Sequence, residues 1–311
     1  MTFSRFFRFA PLGFGVIFQT HWSRDFRHLE NARGEQTATG GILDFFILRT
    51  TTDHWEKIYE LWDELADQPL VERRGAIELL FSRICEWVGA DDAFWVGVAR
   101  VQDEPHAADD ILCGWRLRTT ERWITRPEYN AEFIRKILAH MERDPGMSTR
   151  KVISEAGRFR SYRLHDGFID FLAFRQTPQY EMYFKKGGIT DRIWCVIPVN
   201  RDAESLFCFD RIRRRNRFTP EHQQLIGQAL RGIKWFHRQL LLNHGLLVGK
   251  TPLSPAHRRL LLQLLSHKSE KEIADVLGLS RATTHKYVTD IYRSFDVTSR
   301  AGLMSLWMGG R

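Results

Sequence analysis

Residues 253–307 read LSPAHRRLLLQLLSHKSEKEIADVLGLSRATTHKYVTDIYRSFDVTSRAGLMSLW. Within this stretch Ser269 can cap a helix, and Glu272, three residues later, can accept a hydrogen bond from the Ser269 amide and complete a capping box. Gly278 adopts the left-handed conformation easily, so we expect it to end this helix. Only residues 278–280 then precede the next helix, and this spacing predicts a helix-turn-helix. The inward face of the first helix is predicted to hold Ile273, Ala274 and Leu277.

The second helix of the pair has two faces of different chemistry. Ser280 can cap it, and side chains at helical spacing predict an inward face of Thr284, Val288, Ile291, Tyr292 and Phe295. Small and cationic side chains occupy the other face, and such a face can enter the major groove of DNA. The alternative is a solvated basic face that binds nothing. The residues of this outer face are Ala282, Lys286, Thr289 and Arg293, flanked by Arg281 and His285.

This stretch resembles the LuxR-type, also called GerE-type, DNA-binding domain. The resemblance implies an all-α domain of four helices, in which the third helix reads double-stranded DNA and the fourth pairs with its mate in a homodimer. It covers about 55 residues, and the positions that carry it are Leu253-Ser254-Pro255, Ser269, Lys271 to Ala274, Leu277 to Ser280, Thr283, Val288, Ile291-Tyr292, Val297 and Arg300.

The resemblance also implies roles for individual residues. Base and phosphate contacts fall on His285, Lys286 and Thr289, and contacts to the DNA backbone fall around Ser269, Lys271 and Thr283. The outer helix face adds Arg281 and Arg293 to this DNA-binding set. An apolar strip in the last helix is predicted to form a dimer contact, because so small a domain needs only part of it for its own core. That strip consists of Leu303, Leu306 and Trp307.

Three positions depart from the family pattern. A glutamate is usual at His257, where it would form a second capping box with Ser254. A basic residue is usual at His285, and a glycine at Asp296, where aspartate tolerates the left-handed conformation only moderately well. These departures leave the predicted fold unchanged but alter the expected base preferences.

Composition agrees with a nucleic-acid partner at one end of the chain. The 311 residues carry a formal charge of +8, and residues 250–311, with ten Lys/Arg and five Asp/Glu, account for +5 of it.

The four cysteines lie far apart without a CxxC pair, which predicts reduced thiols in a cytoplasmic protein and no zinc site. Residues 1–50 are predicted to be a disordered extension; a signal peptide is the alternative, but the apolar run there is interrupted.

Residues 51–243 combine helices with strands. We predict helices over 53–66, 71–87 and 127–141, strands over 93–101, 111–117, 192–199 and 205–210, and a long helix from Thr219 to Asn243. Residues 143–176 have no assignable pattern. The order resembles a GAF-type sensor domain, a relative of PAS domains built on an antiparallel sheet, which implies an α+β fold and a sensing role. A short linker, residues 244–252, then leads to the DNA-binding domain at 253–311.

Aromatic residues in the predicted strands are candidates for an effector pocket. Trp95, Cys113, Trp115 and Trp194 could line it, although plain core is the alternative. Cys113 and Cys195 could also act as redox sensors. The arginine-rich run 211–217 is predicted to be a solvated hairpin turn, or else an auxiliary contact to DNA or an acidic partner. Surplus apolar surface on the long helix predicts a dimer interface there, with burial inside the domain as the alternative.

The sequence therefore predicts a transcription regulator that binds double-stranded DNA as a homodimer, under the control of a small-molecule effector or a partner at the N-terminal domain. RNA polymerase is a further candidate partner, and no membrane contact is predicted. A sigma factor is one alternative, although its promoter-melting region would be helical. A GAF-fold thiol enzyme fused to a DNA-binding module is another. No catalytic residue, cofactor or metal site is predicted, because no triad, metal-ligand or phosphate-loop pattern occurs.

Overall fold

A five-stranded antiparallel sheet in the order β2-β1-β5-β4-β3 forms the centre of the α+β part of the chain. The computed structural model describes residues 54–68, 73–101, 110–123, 131–249 and 251–309. The predicted extension, residues 1–50, lies outside these ranges. Residues Glu56–Arg311 form one compact unit. The strands are β1 (Asp92–Arg100), β2 (Trp115–Arg122), β3 (Arg160–Arg163), β4 (Ile189–Asn200) and β5 (Ala203–Ile212).

Helices cover both faces of the sheet and form the C-terminal end. No helix in the described ranges has both the length and the apolar content to cross a membrane. A six-residue π-helix, Tyr180–Lys185, precedes β4. The α-helices are α1 (54–66), α2 (Arg73–Val88), α3 (Ala131–Arg143), α4 (Gly146–Ser154), α5 (Phe171–Phe174), α6 (Pro220–Arg231), α7 (Lys234–Asn243), α8 (Pro255–Leu264), α9 (Glu270–Leu277), α10 (Arg281–Ser294) and α11 (Arg300–Trp307).

Strand alternation divides the apolar side chains between two cores. Phe207 and Phe209 of β5 pack on the side of α1, α2, α6 and α7, whereas Leu206 and Cys208 face the other side with Val96 and Trp194. Because both faces are covered, β4 and β5 are buried along almost their whole length.

Strand β2 starts later than the sequence predicts. Residues 111–114 form a turn in which the Asp110 carboxylate accepts hydrogen bonds from the amides of Leu112 and Gly114, at 3.1 and 2.6 Å. Cys113 and Gly114 both have positive φ, 48° and 81°, which interrupts an extended chain. The strand predicted over 111–117 therefore lies at Trp115–Arg122.

The predicted long helix from Thr219 to Asn243 is two helices. Thr219 caps α6 as predicted, but the chain leaves helical geometry at Ile233. Trp62 of α1 packs against the break: its indole Nε1 donates to the Ala229 carbonyl at 2.8 Å, and a Cβ on Gly232 would lie only 2.1 Å from its ring. The unassigned region 143–176 contains α4, β3 and α5.

Helices α8 to α11 enclose a third core, to which Leu242 of α7 also contributes. The connection predicted as a linker is partly buried, since His244 and Leu246 are each 2% exposed. Leu246 packs so closely on β1 that a Cβ on Gly97 would lie 2.7 Å from it. The apolar residues of α7 are likewise buried inside the chain, with the exception of Trp235. This burial is what the alternative to a dimer interface predicts.

Arg300 connects α11 to the end of α8, and its loss is expected to destabilise the C-terminal helices. The guanidinium donates to the carbonyls of Leu264, Ser266 and Lys268. Hydrogen bonds that involve a charged group contribute about 1.5–3 kcal/mol. We expect Arg300→Met to lower the free energy of unfolding by about that amount, measured by urea denaturation. Arg259→Met, an exposed change on α8, is the control, and equal losses in both variants would contradict this role of Arg300.

Candidate functional site

Helices α9 and α10 meet at a tight turn that follows local side-chain signals. Ser269 accepts a hydrogen bond from the Glu272 amide, and Glu272 Oε2 accepts one from the Ser269 amide at 2.8 Å, which confirms the predicted capping box. Gly278 has φ 64° and ψ 35°, the left-handed conformation. Ser280 caps α10 by accepting a hydrogen bond from the Thr283 amide at 3.1 Å.

Helix α10 buries one side and exposes the other. The buried side contains Thr284, Val288, Ile291 and Phe295, with Tyr292 half-buried. At the start of α9, Ser269 and Lys271 are exposed, and Thr283 in the first turn of α10 is half-buried. The exposed side of α10, called the α10 face below, consists of Arg281, Ala282, His285, Lys286, Thr289 and Arg293.

Cations around the α10 face differ in whether they have an acidic partner. Arg293 donates to Asp290 at 2.9 Å, and Nδ1 of His285 lies 3.2 Å from a carboxylate oxygen of Glu270. Exposed cations without such a partner are available to a polyanion. In the part of the chain that the structure describes, the cations that form no ion pair here are Lys271, Arg281 and Lys286.

The departures from the family pattern are accommodated locally. His257 takes the place of the usual glutamate, and its Nδ1 lies 2.6 Å from the Ser254 hydroxyl, which caps α8 by accepting a hydrogen bond from the His257 amide. Asp296 has φ 52°, so an aspartate occupies the left-handed position where glycine is usual.

The residues predicted to form a dimer contact lie in the chain's own core. Leu303 is fully buried, and Leu306 and Trp307 are each 7% exposed. Four short helices enclose little volume, so they use nearly every apolar side chain that they have. The exposed apolar side chains nearby are instead Met304 and Met308, at 40% and 87% exposure.

A cavity of about 540 Å³, called the sheet cavity below, lies between the sheet and α3. Its volume and its mainly apolar wall are typical of sites for small molecules. The sheet contributes Phe94, Val96, Leu117, Thr120 and Ile189, helix α3 contributes Ile134, Ile137, Leu138 and Met141, and the π-helix contributes Met182, Tyr183 and Phe184.

Two guanidinium groups form part of the cavity wall. Arg192 donates to both carboxylate oxygens of Asp210, at 2.5 and 2.7 Å, and Arg122 donates to Asp92 at 2.6 Å. Burial opposes the charge on Arg192, but the Asp210 carboxylate outweighs it and raises the pKa of Arg192 above its usual range. Burial raises the pKa of Asp92, although Arg122 opposes that shift. Arg192 also lies 4.6 Å from the ring centroid of Phe184.

The residues predicted to line an effector pocket are not brought together, and none of the four lines the sheet cavity. Trp95 faces the opposite side of the sheet, because its neighbours Phe94 and Val96 face the cavity. Trp115 and Trp194 are buried in the core on the cavity side, and Cys113 is exposed in the turn before β2. The sequence did contain one indication of the cavity. Arg192 is a cation two residues before Trp194 in the same strand, so both side chains lie on the same face of the sheet.

The described thiols are mostly buried. Burial raises the pKa of Cys195 and of Cys208 to about 12, and it raises that of Cys85 further. A thiol that is hard to ionise is a poor nucleophile and a poor redox sensor. This finding opposes a sensing role for Cys195.

The arginine-rich run 211–217 is not a hairpin turn, because it connects β5 to α6. Arg211 is buried and donates to the carbonyls of Val88 and Arg217, and Arg214 pairs with Asp91. Arg213 lies at the sheet cavity. Part of this run therefore stabilises the fold.

A polar contact connects β2 to helix α8. The Glu121 carboxylate accepts a hydrogen bond from Arg258 at 2.8 Å and lies 3.2 Å from Nε2 of His244, whose Nδ1 is 3.1 Å from the Thr119 hydroxyl. Burial lowers the pKa of His244, so a neutral ring donates from Nε2 to Glu121 and accepts at Nδ1 from Thr119. Burial also opposes ionisation of Glu121, but His244 and Arg258 outweigh it and lower the pKa of Glu121 to about 2. These four residues form the β2–α8 contact.

Comparison with known proteins shows remote similarity to solved structures. No model of a protein family matches the chain. No curated protein matches it either. Among solved structures, SdiA in complex with octanoyl-rac-glycerol is 13% identical, with a TM-score of 0.38 over 88% of this chain and 96% of that one. A structure of Escherichia coli SdiA is 13% identical, with a TM-score of 0.40 over 81% and 95%. The VqsR LBD domain from Pseudomonas aeruginosa is 15% identical, with a TM-score of 0.38 over 60% and 95%.

Proposed function

We propose that this protein is a transcription regulator of the LuxR type that binds double-stranded DNA in a sequence-specific manner through helix α10. The observation that carries this proposal is the α10 face, where the cations Arg281 and Lys286 have no ion pair in the described chain and stand among small side chains. The capped pair α9–α10 supports it, because a helix held in this way can be placed in a major groove.

Each group near the α10 face has a chemical role in this proposal. Arg281 and Lys286 can donate to guanine O6 and N7, and Thr289 can contact a thymine methyl group. Lys271 and Ser269 at the start of α9 lie where phosphate contacts fall in the resemblance. His285 and Arg293 would exchange their present acidic partners for phosphates.

The proposed regulator acts as a homodimer, and RNA polymerase is its proposed partner in transcription. Because the apolar strip of α11 is buried, a dimer contact at this end would use Met304 and Met308, with Trp235 of α7 as a further exposed aromatic group. A twofold dimer predicts two half-sites whose centres lie about 10 base pairs apart.

The sheet cavity is the proposed site of a small-molecule effector in a GAF-like sensor domain. Strand β2 supports a regulatory link, because Thr120 and Arg122 line the cavity while Thr119 and Glu121 belong to the β2–α8 contact. An effector that moved β2 would therefore change the position of α8 if it bound the two states with different affinities.

Selection from a pool of random DNA duplexes tests the proposed function. We expect the full-length protein to enrich one sequence with two half-sites in twofold symmetry. A footprint of a single asymmetric half-site at saturation would argue for a monomer. A pool that stayed random after repeated rounds would contradict sequence-specific binding.

A further inference from the structure

The charged groups in the wall of the sheet cavity are all cationic. They are Arg122, Lys186, Arg192 and Arg213, and the described lining includes no Asp or Glu. Asp92 and Asp210 pair with two of these arginines, but both carboxylates are almost fully buried and neither is part of the lining. Each ion pair thus has its cation at the cavity and its anion behind it.

Arg192 is fixed in position before any ligand binds. Its Nε and Nη2 bind Asp210, and its guanidinium lies 4.9 Å from the ring centroid of Phe94 and 4.6 Å from that of Phe184. Nη1 takes no part in the bonds to Asp210. Nη1 and the second hydrogen of Nη2 can still donate to the carboxylate of a ligand, and because the guanidinium is already held in place, little side-chain entropy is lost when they do.

The other two cations are exposed. Neither Lys186 nor Arg213 forms an ion pair with another described residue, and both side chains are exposed at the edge of the cavity. Exposed charges of one sign attract a ligand of the opposite sign and raise its local concentration.

We propose that the sheet cavity binds an amphipathic carboxylate. The carboxylate lies at Arg192 and Arg122, and the apolar chain lies between α3 and the apolar side chains of the sheet. The proposal rests on the proposed role of the cavity as the effector site and adds the charge and polarity of the ligand.

Calorimetric titration of the full-length protein with three probes of equal chain length tests the charge preference. The probes are decanoate, decanol and decylammonium, each below its micelle concentration. We expect decanoate to bind about tenfold to a hundredfold more tightly than decanol, because a hydrogen bond to a charged group is stronger than one to a neutral group. Decylammonium is expected to bind most weakly. Equal affinity for decanoate and decanol would overturn the charge preference but leave an apolar effector cavity intact.

A charge variant at the cavity edge gives a second test that leaves the buried ion pairs intact. We expect the double variant Lys186→Gln and Arg213→Gln to weaken decanoate binding about threefold at low salt and to leave decanol binding unchanged. The double variant Arg215→Gln and Arg217→Gln removes two exposed charges from the same loop, outside the lining, and is the matched control. Equal effects of the variant and the control, or no binding of any probe to the parent protein, would overturn the proposal. Neither result affects DNA selection, which tests the proposed function separately.

Discussion

Replacing Lys286 by alanine is expected to weaken binding to the selected operator about fivefold to 150-fold and to leave the fold intact. A side chain that hydrogen-bonds to a base contributes about 1–3 kcal/mol of discrimination. Lys286 is exposed on the α10 face and supports no other residue through an ion pair in the described ranges. Fluorescence anisotropy measures the affinity, and thermal unfolding followed by circular dichroism checks the fold.

A matched control separates a specific contact from an effect of net charge. Lys234→Ala removes the same charge from an exposed position on α7. We expect it to bind the operator nearly as tightly as the parent protein does. Parental affinity in Lys286→Ala would rule out the α10 face as the DNA contact. Equal losses in both variants would mean that only overall charge matters.

Replacing Glu121 by alanine is expected to loosen helix α8 from the sheet. The carboxylate is the shared acceptor of Arg258 and His244, so its loss leaves two donors without their partner. Hydrogen bonds of this charged kind contribute about 1.5–3 kcal/mol. We expect amide hydrogen exchange at residues 245–249 to become about tenfold faster or more, while the core of the sheet stays protected.

The control for this variant is Glu142→Ala, which removes another ion pair of β2, to Arg118, without touching α8. It should leave exchange at residues 245–249 unchanged. Unchanged exchange in Glu121→Ala would show that apolar packing of Leu246 alone holds the two parts together.

Acid should weaken the β2–α8 contact in the same way. Glu121 has a pKa of about 2 in the folded protein against an ordinary value of 4.5, so its stabilisation is complete above pH 4.5 and is lost as pH falls toward 2. The pKa of His244 is also lowered, so protonation of its ring at pH values below the ordinary pKa of 6.5 favours loss of the β2–α8 contact. Exchange at residues 245–249 should therefore be slowest above pH 6.5, once the intrinsic rate is corrected for pH. Faster corrected exchange at pH 8 than at pH 5 would contradict this assignment.

The α9–α10 pair could be predicted from sequence because its signals are local. Ser269 and Glu272 are three residues apart, and Gly278 acts on its own backbone. The break between α6 and α7 could not, since Trp62, which lies 167 residues before its partner Ala229, packs against it. The burial of Trp307 could not be predicted either, because the spacing of apolar residues does not distinguish a core position from a strip on the surface.

The ion pair between Arg192 and Asp210 could not be predicted from sequence, because it depends on one irregularity in the pairing of β4 with β5. A simple two-residue turn at 201–202 would pair Arg192 with Arg211. The register shift between Pro198 and Asn200 moves the partner to Asp210. Proline lacks an amide hydrogen and favours such irregularities, but their exact position depends on the packing of the whole sheet.

The α10 face is proposed to read a DNA sequence. The most direct measurement is the ratio of affinities of the full-length protein for its selected operator and for a scrambled duplex of the same length and composition, at one physiological salt concentration. Specific regulators discriminate by about 10³ or more under such conditions. We predict a ratio in that range for the parent protein. Equal affinity for the two duplexes would contradict the account.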